Sequence, residues 1–547
     1  MIINKYPSRL ELSLLFLVSI MPIVNWLCHV GFFASTHDWV RPFVFIKHIE
    51  HKFQLGEYLF SWIDSINGGY GYPTFVFYPI IFFYASACIM HVLPLNEYHS
   101  AMIMVYVLSL ISVLNLYYFL TETVVDKVYA WFGVILYIMI PYHYALLYVR
   151  GDFSEYMALS LLPMLINSFY RFVIYEHIKY FILMILTLVL GVLSHPIFLT
   201  VFIPVFILFI IYFICIDELK LQHLLVFFVG LITALVVTSY YWLNFILLIP
   251  EINIKKAVVD FDASSHVMNW YELVNMVRGS EHYYQIGFLY LFLTVITLVQ
   301  WNRKSHWIFG GLMFLWIISL TKEFYSIIPL WDLPLINNIQ FPWRMLGIIS
   351  LILVIYITNI RLGKKHELFL NLSIYAVLLI CLQSSNFMTK WIPQNDIITN
   401  QVMTDAKLHP NSIVGAIGSI SNEYANKSFL KVNNYAENIT ESLFKNTQIS
   451  TVFEKSQEYK YMLEVEKTDF IKVNRMQLSN WIFELDGKPI NPETQNGLYF
   501  IKVEKGTHIL YFYYEKPFNF SMYIVAMITC SIILSIGLYA NKFTSKK

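Results

Sequence analysis

The chain has 547 residues, of which 58% are hydrophobic, 18% aromatic and only 13% charged, with 37 basic against 36 acidic side chains. A soluble globular domain carries about 25% charged residues, so a soluble enzyme of this length is excluded, and so is a disordered or fibrous chain. The near-zero net charge and the lack of a basic tract exclude a nucleic-acid partner, which leaves lipid as the main solvent.

A bilayer core of about 30 Å needs about 20 apolar residues in a helix. In chain order the candidate membrane segments are 10–30, 74–94, 100–120, 128–148, 153–175, 178–193, 197–216, 222–248, 286–301, 306–320, 344–360, 367–384 and 519–540. The first is long, lacks a small-residue cleavage site and leads into more membrane protein, so it is not a cleavable signal. Lys5 and Arg9 at one end and the lysines of 541–547 at the other place both ends in the cytoplasm. Two cytoplasmic ends need an even number of crossings, and thirteen segments do not supply it. The weakest is 74–94, beside Pro73 and with Pro79 inside it, and a re-entrant course is the alternative. By the same reading 31–73, 249–285, 321–343, 385–518 and the turn at 149–155 are extracytoplasmic.

After Pro42, apolar Phe43, Ile46, Ile49 and Phe53 recur at three- and four-residue steps, with Lys47, Glu50 and Lys52 on other faces. That pattern predicts a helix lying in the interface. The stretch 385–518 is polar, and its second half alternates as strands do: YKYMLEVE, WIFELDG, LYFIKV and HILYFYY. Turn residues Asp486-Gly487, Asn496-Gly497 and Lys505-Gly506 separate them. The prediction is a small antiparallel β-sandwich over 455–516 with Trp481 inside, followed by a final membrane helix. The expected architecture is therefore an all-α polytopic membrane region, 1–384, with 12–13 helices. An extracytoplasmic region, 385–518, and a helix with a cytoplasmic tail, 519–547, complete it. The five cysteines, Cys28, Cys88, Cys215, Cys381 and Cys530, form no close pair and read as small buried hydrophobes.

An ionisable residue at membrane depth is expensive and therefore a functional candidate. Four clusters qualify, all on the predicted outer face. His37-Asp38, with Arg41, offers a general base or a metal-binding carboxylate, or else an ordinary helix cap. LYVRGDFSEY supplies Arg150, Asp152 and Glu155, which either pair with one another or form a phosphate clamp and an acceptor-orienting carboxylate. His195, before Pro196, is a satisfied buried side chain, a phosphate ligand or a proton carrier. Arg344, in FPWRML, is an interface anchor or a lipid-phosphate ligand. Nucleotide loops, zinc helices and nucleophile elbows are absent.

GYGYPTFVFYPIIFFY (69–84), YVRGDFSEYMALSLLPML (148–165), LSHPIF (193–198) and QFPWRML (340–346) together resemble the bacterial "6-pyruvoyl-tetrahydropterin synthase-related" integral-membrane family, which is similar to YfhO-like proteins. NWIFELDGKPI and KGTHILYFYY resemble the β-domain that ends YfhO-like chains. Such proteins look like GT-C glycosyltransferases. The resemblance implies a polyprenyl-phosphate-linked sugar donor, a glycan or lipid acceptor, and a site on the outer face of the bacterial cytoplasmic membrane. It also implies an acid in the first outer loop, for which Asp38 stands by position, with any divalent metal held there. Arg150 and Glu155 match an Arg-Gly-x-x-x-Glu pattern, and Arg344 a Phe-Pro-Trp-Arg pattern. Asp152 stands where small apolar residues are more usual, and a second carboxylate in the first loop would have to come from Glu57 or Asp64. The catalytic candidates are then Asp38, His37 and Glu155, and the substrate-binding candidates Arg41, Arg150, Asp152, His195 and Arg344. The alternatives are a non-catalytic scaffold of envelope polysaccharide assembly and a lipid or solute transporter, although charges sit at segment ends and no internal repeat is evident.

Overall fold

The computed structural model describes most of residues 7–252, 263–270, 316–358 and 438–515, with short breaks, together with 397–398. Five helices are long and apolar enough to cross a membrane among the described residues: Arg9–Leu27, Glu97–Thr123, Lys127–Arg150, Phe153–Tyr175 and Phe198–Cys215. The bent pair Leu221–Val237 and Ser239–Glu251 makes a sixth if the two helices together form one broken span. Ile178–Ser194 and Pro342–Thr358 are shorter apolar helices. Predicted segments 286–301 and 367–384, most of 306–320, and 519–540 lie outside the described residues.

Two expectations are corrected by the fold. Within the 74–94 segment, which the sequence leaves between a spanning and a re-entrant course, the helix Ile81–Val92 has 12 residues, or about 18 Å at 1.5 Å per residue. That falls short of the apolar core, as Pro79 just before the helix would dictate. The 222–248 run is not one rod, because its two helices meet at 65° around Thr238. Cys88 and Cys215 are exposed free thiols rather than buried ones. An apolar run identifies lipid-compatible residues without saying which of them turn outward.

A helix forms over Arg41–Gln54, as its apolar spacing predicts, and buries Phe43, Phe45, Ile46, Ile49 and Phe53. Its partner is the Ile81–Val92 helix, with Phe45 and Phe83 ring centroids 5.3 Å apart. Glu50 and Lys52 are not on a solvated face: both are buried, Glu50 against Gln54 and His91, Lys52 against Glu57.

Pairings at both ends fix the helices' relative directions. At one end Lys127 reaches Glu11 at 3.2 Å and Arg171 reaches Glu122 at 2.9 Å. At the other, Tyr98 donates to the Trp26 carbonyl at 3.2 Å, and Phe43 meets Phe153 at 6.0 Å. The turn at 151–152, the start of the 41–54 helix, His195 and the Pro342–Arg344 turn all belong to this second end.

The C-terminal region holds two antiparallel sheets, and a further short ladder pairs β1 (Phe32–Phe33) with β2 (Ile397–Ile398). The strands are β3 (Thr440–Ser442), β4 (Thr447–Lys455), β5 (Glu458–Val465), β6 (Asp469–Val473), β7 (Trp481–Leu485), β8 (Lys488–Ile490), β9 (Glu493–Gln495), β10 (Leu498–Val503) and β11 (Gly506–Tyr514). They are ordered β3-β6-β10-β9 and β4-β5-β11-β7-β8. Phe483 of one sheet meets Tyr499 of the other at 4.7 Å. The Asp486-Gly487 and Asn496-Gly497 pairs take positive φ at both residues, as two-residue hairpin turns require. Trp481 is buried as expected, and its ring lies 5.1 Å from Trp62 of the first loop. The Met476 N–H donates to the Tyr70 carbonyl at 3.2 Å, and the Ser479 N–H to Glu251 at 2.7 Å. The sheets are thereby tied to the same end of the bundle.

Asp469 organises the far end of this region. Its carboxylate accepts from the Phe444 N–H at 3.0 Å, the Phe470 N–H at 2.7 Å, the Asn446 N–H at 3.2 Å and the Thr447 hydroxyl at 2.8 Å, and also from Ser442. Burial alone would raise its pKa. The Ser442 and Thr447 hydroxyls and the Phe444 and Phe470 N–H groups outweigh burial and hold it below the ordinary value. A depressed carboxylate stabilises the fold above its unfolded pKa of about 4, and that stabilisation is lost as pH falls through the folded value. Hydrogen-exchange protection over 440–514 in the full chain, corrected for the intrinsic pH dependence of exchange, should therefore fall below about pH 4. Asp469→Asn should open the region by about 1–3 kcal/mol at neutral pH and flatten that acid response. An unchanged acid response in the variant would assign it to other carboxylates.

Candidate functional site

The sequence YVRGDFSEY makes a tight reversal between two long helices. The last turn of the first helix, Ala145–Arg150, is π-helical, and Gly151 follows at φ 69°, a left-handed cap that a glycine adopts without a Cβ penalty. Asp152 then caps the next helix, its Oδ1 accepting the Glu155 N–H at 2.9 Å. A second π turn, Phe198–Phe202, begins three residues after His195. Such turns widen a helix locally and often stand at functional positions.

These turns gather five of the eight candidates around one carboxylate pair. Arg150 donates through Nη1 to Glu155 Oε2 at 2.5 Å and through Nη2 to Asp152 Oδ2 at 3.1 Å. Arg344 Nε lies 3.4 Å from the same Glu155 oxygen, and its Nη1 donates to the Ile339 carbonyl at 3.2 Å. His195 Nε2 stands 3.8 Å from Asp152 Oδ2. Glu155 is 0% exposed, so its charge is tolerable only because it is paired and hydrogen-bonded on both sides. Aromatic rings fill the gaps. The Arg150 guanidinium lies 4.8 Å from the Trp343 ring and 5.8 Å from that of Phe341; Arg344 lies 5.0 Å from Phe341. Phe341 and Trp343 are themselves stacked at 4.7 Å. Flat guanidinium groups suit such stacking, and an ammonium would gain less.

Asp38 joins this group through its backbone: its N–H donates to the Arg150 carbonyl at 2.8 Å. It is half-buried, unlike Glu155. His37 and the Arg41 side chain lie outside the described residues. Tyr142 is a contributor that sequence reasoning misses. It donates its hydroxyl to Glu155 Oε1 and lies 6.2 Å from the Trp343 ring. Its one signal in the sequence is Pro141, which breaks the 128–148 run. Asp152, Glu155 and His195 each offer one ligand atom within 4.8 Å of the others. By composition and spacing this group could hold a metal ion, whereas the family resemblance implies Asp38 for any metal.

Helices, sheets and site together define an integral multi-pass membrane protein with a C-terminal antiparallel β region on one end of the bundle. The chain belongs to the family described as 6-pyruvoyl-tetrahydropterin synthase related domain, membrane protein, whose model matches residues 75–391. Among solved structures, the apo crystal structure of the Archaeoglobus fulgidus oligosaccharyltransferase is similar at 13% identity and a TM-score of 0.36. The alignment covers 76% of this chain, which spans 56% of the length of that one. No curated protein matches significantly.

Proposed function

We propose that the protein is a GT-C-type glycosyltransferase that moves a sugar from a polyprenyl-phosphate donor to an envelope glycan or lipid acceptor. It would act at the extracytoplasmic face of a bacterial cytoplasmic membrane. The observation that carries the reading is the meeting of Arg150 and Arg344 on one buried glutamate, beside the half-buried Asp38. Two guanidinium groups so held are pre-organised for a phosphate ester. The donor's lipid would lie along the helices, with its phosphate at the two arginines and His195. The Asp38 carboxylate would take the proton of the acceptor hydroxyl. The hydroxyl oxygen forms its bond to the anomeric carbon as the carbon–oxygen bond to phosphate breaks, and polyprenyl phosphate leaves with the electron pair. A phosphate leaves readily, so positioning and charge stabilisation suffice without a strong general acid.

Glu155 has another role in this reading. Both of its oxygens are already engaged by Tyr142, Arg150 and Arg344, so it positions the arginines and does not abstract the proton. The β region, tied to the first loop and to Glu251, stands where it can present an acceptor. We retain the division 1–384, 385–518 and 519–547 as part of the proposal.

Native mass spectrometry of the full chain with polyprenyl phosphate tests the binding half. Arg344→Gln should retain the lipid about tenfold more weakly, equivalent to about 1.4 kcal/mol, the size of one charge-assisted hydrogen bond. Equal retention by the variant and the wild type would remove the clamp from the reading.

A further inference from the structure

Asp152, Glu155 and His195 are the residue types of a divalent-cation site, and their ligand atoms are close enough together to form one. Three features of the same group close it to a cation.

The first is the tautomer of His195. Its Nδ1 accepts the Ile197 N–H at 3.1 Å, the first backbone donor available after Pro196, which has none. A ring nitrogen that accepts carries the lone pair, so the proton sits on Nε2. Nε2 is the atom turned toward Asp152 Oδ2, at 3.8 Å, and an N–H cannot ligate a metal. The other tautomer would set an Nδ1–H against the Ile197 N–H, two donors with no acceptor between them. Metal-ligating histidines show the reverse arrangement, in which the outer nitrogen donates to a carbonyl or carboxylate.

The second feature is the occupancy of the carboxylate oxygens. Asp152 Oδ1 takes the Glu155 N–H at 2.9 Å, and its Oδ2 takes Arg150 at 3.1 Å. Glu155 Oε1 takes the Tyr142 hydroxyl, and its Oε2 takes Arg150 at 2.5 Å, with Arg344 Nε at an ion-pair distance of 3.4 Å. A cation would have to displace Arg150 from both acids. The third is charge. Two buried carboxylates already face two guanidinium groups, and a divalent ion would leave two positive charges uncompensated beside side chains that are buried.

We infer that the Asp152–Glu155–His195 group is the support of a pre-formed anion-facing wall and is not a metal site. Arg150, Arg344 and the His195 Nε2–H then hold an anionic ligand without a bridging divalent cation. That the ligand is a phosphate ester rests on the function proposed above, while the closure to cations stands on the hydrogen bonds and ion pairs of the group itself.

The test uses the full-length protein in detergent, stripped with EDTA and titrated with Mn²⁺ under electron paramagnetic resonance. The wild type should show no saturable site attributable to this group, and polyprenyl phosphate should be retained within twofold in EDTA and in Mn²⁺. One saturable Mn²⁺ per chain that disappears in both Asp152→Asn and His195→Ala overturns the inference. So does a tenfold gain in lipid retention with Mn²⁺ that Asp152→Asn abolishes. A Mn²⁺ site kept by both variants lies elsewhere and leaves the group closed as inferred. Should polyprenyl phosphate fail to bind under any condition, the transferase reading falls, while the Mn²⁺ titration still decides the question of the cation.

Discussion

Arg150→Met is expected to lower stability by about 3–5 kcal/mol, the range for removing one partner of a buried ion pair, and to abolish retention of polyprenyl phosphate. Arg150 is 7% exposed and serves both Asp152 and Glu155. Methionine fills much of the volume and keeps contact with Trp343 and Phe341, so the loss would come from two buried carboxylates left with a single guanidinium, that of Arg344, 3.4 Å from Glu155. Arg150→Lys should fall between the two: it restores the charge but not the planar fork that reaches both acids while lying over the Trp343 ring. The double variant Arg150→Met/Glu155→Gln should regain part of the lost stability without regaining the lipid, because the second change removes an uncompensated charge. Thermal unfolding in detergent reads the first effect and native mass spectrometry the second. A Met variant that melts with the wild type would show that the ion pair is not what holds this turn together.

Charge at the ends of apolar runs makes much of the site legible in the sequence alone. Arg150, Asp152, Glu155, His195 and Arg344 stand out in a chain this poor in charge, and their gathering follows from their lying at helix ends on one face. The partners of each are not legible. Nothing in the spacing says that Arg344 and Arg150 share an oxygen of Glu155 rather than pair separately, because that depends on how the Pro342–Arg344 turn meets the 153–175 helix. Tyr142 escapes for a related reason: in an apolar run a tyrosine reads as core or interface, and its hydroxyl gains meaning only when an acceptor is brought to it. The fold divides in the same way. Phe153–Tyr175 is readable end to end, since a glycine-containing polar turn opens it and polar residues close it. Hydropathy alone does not separate a 12-residue helix at 81–92 from a spanning one, nor does it reveal the bend at Thr238. Among the strands, β5, β7, β10 and β11 alternate clearly and can be read directly. Strand β4 cannot, because it is an edge strand whose burial does not alternate and whose register shifts between Thr451 and Phe453; β6 is only five residues long.

Asp38→Asn should reduce sugar transfer by about 10²–10⁴-fold, the usual contribution of a positioned general base, while lowering the melting temperature less than Glu155→Gln does. The separation of the two effects follows from which atoms of Asp38 do what. One tie of this residue to the bundle is the backbone N–H that donates to the Arg150 carbonyl at 2.8 Å, and asparagine keeps that bond. The residue is half-buried, so exchanging carboxylate for amide disturbs a less enclosed position than that of Glu155, which is fully buried. Glu155→Gln is the contrasting case: there the amide would turn a donor toward either Tyr142 or the arginines, and stability should fall along with activity. The measurement is the initial rate of transfer from a polyprenyl-phosphate sugar in proteoliposomes, with unfolding followed on the same preparations. A full rate in Asp38→Asn would mean that the acceptor proton goes elsewhere. The arginine wall would then hold an anion without the transferase chemistry proposed for it. A lowered rate with an intact fold, together with lipid retention that does not change, would place Asp38 at the bond being made and not at the phosphate being held.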